Sequence, residues 1–156
     1  MNLFYLVMAL CAGSMLSVQA AVNSRLGAGL GGQPLVAAFV SFAVGTVFLG
    51  VVALLKADWQ PVASGLGQQG WWRFTGGVLG ACFLFTSVFL APRLGVTNAM
   101  FLFIIGQLCA GMLIDGLGLI QMPVRPLHWW KFAGLAIMLG GLVLFTFGDR
   151  FFRSWN

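Results

Sequence analysis

The sequence predicts an all-α integral membrane protein built as a bundle of five transmembrane helices. Two observations carry this. Of the 156 residues, 60% are hydrophobic and only 7% charged, whereas a soluble domain carries about a quarter charged residues. Such a chain cannot cover itself with a water-facing shell, so its solvent is lipid. The apolar residues also fall into five runs, at 3–22, 35–55, 72–91, 96–114 and 130–147, each close to the ~20 residues that cross a bilayer core as a helix. Five spans with short connections leave no room for a second domain, so residues 1–156 read as one membrane domain.

Each run is bounded by residues that interrupt helices. Span one has an apolar core followed by Val18-Gln19-Ala20, a small-residue pattern like that of a secretory cleavage site. No Lys or Arg precedes the core and the apolar run is too long for a leader, so the segment reads as a retained span. Gly29, Gly31, Gly32 and Pro34 separate it from span two, and Pro61, Gly65, Gly67 and Gly70 break the second connection. Span three opens with Trp71-Trp72-Arg73-Phe74-Thr75-Gly76, which span five echoes as Trp129-Trp130-Lys131-Phe132-Ala133-Gly134. Trp favours the headgroup level, a basic residue there snorkels, and Gly admits a close neighbour. Pro92-Arg93-Leu94-Gly95 is expected as a tight turn between spans three and four. Pro123 and Pro126 break the connection before span five.

Helices in lipid associate through small residues. Ala37, Ser41 and Gly45 form one such stripe, Gly76 and Gly80 with Ser87 another, and Ala136 and Gly140 a third. These are expected to be packing positions. Cys11, Cys82 and Cys109 show no metal spacing and read as buried small hydrophobes. His128 sits beside Trp129 and Trp130 as an interfacial residue, and nothing completes a metal site around it. No Walker motif, nucleotide loop or nucleophile elbow is present, which argues against an ATP-driven pump and against an enzyme. The net charge of +5 comes from basic residues placed singly at span ends, not from a stripe that would hold nucleic acid.

Polar residues inside spans are candidates for function. Gln19 and Asn23 share a helix face at i, i+4. Gln107, Gly111 and Asp115 follow the same spacing, the Gly leaving room for a partner helix or a small solute. Gln19, Asn23, Asn98 and Gln107 are the expected solute contacts, with helix-to-helix hydrogen bonding as the alternative role. Asp115 is the one acid near a hydrocarbon region. It is a candidate for ion coupling, or for pairing with Arg125 or Lys131. Arg93 is a candidate charge partner for an anionic solute or for an acid of a second copy. Span five, nearly all apolar, is expected to pack at a dimer interface or to face lipid.

The eight basic residues divide evenly across the membrane. Lys56, Arg73, Arg125 and Lys131 fall on one side, Arg25, Arg93, Arg150 and Arg153 on the other. Orientation follows an excess of Lys and Arg in cytoplasmic loops, and a tie predicts insertion both ways. If Arg25 and Arg93 serve turns or solute instead, a bias returns, with the N-terminus and the Trp-rich loops cytoplasmic.

Seven pieces run in order along the chain: Gln19-x-x-x-Asn23, Ser41-Phe42-x-x-Gly45, Trp72 with Gly76-Gly77-x-x-Gly80, Pro92-Arg93-Leu94-Gly95, Gly106-Gln107, Asp115-x-Leu117-Gly118-Leu119 and Gly140-Gly141. Together they resemble the YdcZ-like family, the half-size, five-helix members of the drug/metabolite transporter superfamily. Gly116 stands where that pattern commonly has His, and Leu117 where it has an aromatic residue. The resemblance implies a multi-pass protein of the bacterial inner membrane with an export role. It also implies that single chains work in pairs. The resulting expectation is a secondary transporter of a small metabolite or drug-like solute, working by alternating access as an antiparallel, dual-topology homodimer and needing no cofactor. The alternatives are a small dual-topology ion channel, a non-transporting partner of another membrane protein, and a subunit paired with a sister chain of opposite orientation.

Overall fold

The computed structural model describes residues 2–152, with side chains through residue 148. Arg150 and Arg153, which enter the charge argument, lie outside the described residues or side chains. The backbone is helical, with no strand among the described residues. The long helices are α1 (Leu3–Gly29), α2 (Pro34–Lys56), α4 (Thr75–Leu94), α5 (Val96–Leu117) and α6 (Trp129–Phe152), and a short α3 (Trp59–Leu66) follows α2. A 3-10 turn, Trp71–Phe74, leads into α4. Five helices are long and apolar enough to cross a membrane. The chain divides into two compact units, residues 1–96 and 97–156.

In the first unit α1, α2 and α4 pack against one another. Their contact surfaces are small. Gly27 of α1 lies so close to the other two helices that an added Cβ would stand 3.5 Å from the Ala37 Cβ and 3.6 Å from Val88 Cγ1. Ala37, Ala38, Leu84 and Val88 form the core beside it, with Leu26 and Phe85 packed on its edge. Small residues let helices meet through backbone and Cβ atoms, which is the source of attraction in lipid. The turn that reverses the chain between α1 and α2 has a single hub. The amides of Leu30, Gly32 and Gln33 all donate to the Gly27 carbonyl, at 3.0 to 3.2 Å. Gly31 and Gly32 supply the positive φ angles, 71° and 77°, that a side chain would resist.

Three expectations need correction. The second connection is not merely a broken loop, because α3 occupies it. Asp58 caps that helix by accepting from the Gln60 amide at 3.2 Å. Pro61 falls in the first turn, where a missing N–H costs nothing. Pro92 and Arg93 do not form the turn after span three, because α4 runs through both to Leu94. Pro is tolerated in the last turn, and α4 ends at Gly95, with φ 81°. The three cysteines are exposed; with lipid as the solvent, a small apolar side chain has no need of burial. The Trp-rich echo also diverges. The first copy makes the 3-10 turn, with Thr75 Oγ1 donating to the Trp72 carbonyl at 2.7 Å, while the second opens α6 directly.

In the second unit α5 and α6 meet at a Phe101–Phe145 pair, ring centroids 5.4 Å apart. The segment between them folds back on the end of α5. The Arg125 amide donates to the Asp115 carbonyl at 2.8 Å, and Leu127 covers Gly116 so closely that a Cβ there would meet Leu127 Cδ1 at 2.5 Å. Gly118, Ile120 and Gln121 all take left-handed φ angles, 63°, 58° and 61°. For Ile120 that conformation is strained.

Candidate functional site

The first groove lies between α1 and α2 and encloses about 730 Å³. Its walls are mostly Met, Val and Leu, and its polar groups come from Ser14, Gln19, Asn23 and Ser41. Gln19 and Asn23 thus point into one space, as their four-residue spacing requires. Asn23 is buried, 4% exposed, and its Nδ2 donates to Ser41 Oγ at 3.0 Å. That bond ties α1 to α2. Ser14 returns its hydroxyl to the Leu10 carbonyl at 3.0 Å. Gln19 is different. It is exposed in the groove, and among the described residues its amide has no hydrogen-bond partner. It lies within one turn of the midpoint of α1, a helix long and apolar enough to cross a membrane. An amide there strongly favours a polar partner.

The second groove lies between α5 and α6 and encloses about 600 Å³. Gln107, Gly111 and Asp115 line its α5 wall and Lys131 and Gly134 its α6 wall. Gln107 sits at the midpoint of α5. Asp115 lies two residues from the α5 end and shares the groove with Lys131. Its carbonyl, not its carboxylate, receives Arg125. His128 stacks on Trp130, with centroids 4.2 Å apart and planes at 15°.

The remaining candidates fall elsewhere. Asn98 is half-buried in the first turn of α5, at the membrane end rather than mid-span. Arg93 lies over the Phe89 ring, 3.6 Å from its centroid, and donates to the Phe89 carbonyl. Among the packing candidates, Ser41 bonds to Asn23, and a Cβ at Gly80 would touch Phe42 at 3.5 Å. A Cβ at Gly45, Gly76 or Gly140 would meet no atom within 4 Å. Ser14 and Ser41 were missed as groove residues. Their signal was present: Cys11, Met15, Gln19 and Asn23 make one four-residue stripe, and Ser14 borders it. No group of His, Cys or acidic side chains among the described residues is arranged to hold a metal.

Among the described residues, five apolar spans define a polytopic helical membrane protein. Residues 4–144 match the family model described as "Putative inner membrane exporter, YdcZ", and the chain belongs to that family. It is therefore a multi-pass inner-membrane protein of an exporter family, a class of transporters and not of enzymes. No curated protein and no solved structure matches the chain.

Proposed function

We propose that the protein is a secondary exporter that seats a small metabolite or drug-like solute in the α1–α2 groove. The observation that carries this is the Gln19 amide, unpartnered near mid-depth beside the Asn23–Ser41 bond. Gln19 contacts the solute beside the Asn23–Ser41 pair that shapes the groove, with Gln107 offering a second amide in the α5–α6 groove. Two chains inserted in opposite orientations form the unit that alternates access. A two-fold axis in the membrane plane is the symmetry that inverted-repeat transporters use, with solute bound near the midplane. The even split of basic residues supports such dual insertion. The grooves are lined largely by apolar side chains, which suits a solute with an apolar body and one or two polar groups.

The test is a thermal-shift screen of the purified protein against small metabolites and cations. A solute that binds the folded state raises its melting temperature. The reading expects a hit whose effect is lost in Gln19→Ala. A hit that stabilises Gln19→Ala equally well places the solute elsewhere.

A further inference from the structure

At one end of the first unit a third groove, about 620 Å³, is walled by Ser24 and Arg25 of α1, Gly32 of the turn, Pro34 of α2, and Phe89 and Arg93 of α4. Arg25 and Arg93 thus line one space, and no acidic side chain lines it. The whole chain has only three acidic residues. The one in this unit, Asp58, caps α3 beyond the far end of α2, roughly 34 Å away along that helix. Two cations lining one groove with no acid to balance them favour an anion there.

The surroundings add to this. Arg93 is held in place by the Phe89 ring and carbonyl, which leaves other guanidinium N–H groups to donate. The α2 N-terminus opens beside them. Its Gln33 cap makes no side-chain hydrogen bond, so the Leu35 and Val36 amides at the positive end of the helix dipole have no side-chain cap. Ser24 contributes a hydroxyl. Arg25 lies about 6 Å from the end of α1 by helical rise, which sets the groove at headgroup depth.

We infer that Arg25 and Arg93 form a binding site for a phosphate group. Two planar forks match the tetrahedral oxygens of a phosphate, each donating paired N–H bonds. The phosphate belongs either to an anionic lipid headgroup or to a soluble phosphate. The site is separate from the Gln19 groove and does not depend on the transport reading.

Thermal melting of the purified full-length protein tests this in two arms. One compares inorganic phosphate with sodium chloride at matched ionic strength. The other compares phosphatidylcholine nanodiscs with and without phosphatidylglycerol. A rise in melting temperature with inorganic phosphate identifies a soluble-phosphate site; a rise with phosphatidylglycerol alone identifies a headgroup site. Arg25→Gln and Arg93→Gln should each weaken the apparent affinity about tenfold, and Lys56→Gln, at the other end of α2, should leave it unchanged. Arg25→Lys and Arg93→Lys keep the charge and should retain part of the response should the Gln variants fail to fold. No rise in either arm, an undiminished rise in both Arg→Gln variants, or an equal loss in Lys56→Gln would overturn the assignment.

Discussion

At the scale of single residues, two amides four positions apart do different work. Asn23 is spent on Ser41, and Gln19 is not. Asn23→Ala or Ser41→Ala should each lower stability modestly, by about 0.6 kcal/mol on average for interhelical hydrogen bonds in lipid, and the double variant should cost little more than either single one. Unfolding in mixed detergent micelles checks this. Gln19→Ala should leave the unfolding curve almost unchanged while removing the response to solute. The sequence made the shared face of Gln19 and Asn23 legible, since helical spacing alone decides it. It did not reveal which amide was satisfied, because that depends on the register of α2 against α1. Gly118 offers another residue-scale test. Its φ is 63° and a Cβ would meet Val124 Cγ2 at 2.7 Å. Gly118→Ala should therefore destabilise by about 1–3 kcal/mol.

At the scale of elements, the helices of the first unit are held by how closely their backbones approach. Gly27 sets that approach. A Cβ there makes ordinary contacts, at 3.5 Å and beyond, so Gly27→Ala should fold normally. Gly27→Leu should wedge α1 away from α2 and α4 and cost about 1–3 kcal/mol, seen as a lower midpoint in the same unfolding experiment. The five spans themselves were legible because hydropathy in lipid is a strong signal. Their ends were less so. α1 runs on to Gly29, past the apolar stretch and through Arg25, because a long side chain snorkels and does not break a helix. α4 likewise absorbs Pro92 in its last turn. α3 was hidden by Pro61 and Gly65, which mark loops statistically but are harmless at a first turn and near a helix end. The strap after α5 was not readable at all. Nothing local announces that Leu127 will settle on Gly116, or that Ile120 will adopt a left-handed angle.

At the scale of the whole molecule, the even charge split of a five-span exporter-family chain is the basis for proposing a pair of opposed chains. Arg25 and Arg93 line one groove, and both still count in the charge balance of the membrane-facing ends. Reporter fusions at the C-terminus should be active on both sides of the membrane. Activity confined to one side would remove dual insertion and leave a same-orientation assembly or a sister chain. Replacing Arg25 and Arg93 by Gln unbalances the charge count to four against two and should shift the fusions toward a C-terminus outside the cytoplasm, following the rule that basic loops stay cytoplasmic.

The central claim is that solute crosses by way of the Gln19 groove in a carrier cycle. It is tested most directly by flux in proteoliposomes, using a solute that stabilises the protein. The expected result is saturable, solute-specific flux that Gln19→Ala abolishes while the variant remains folded. Non-saturating ion conduction at channel rates, or undiminished flux through Gln19→Ala, would contradict it.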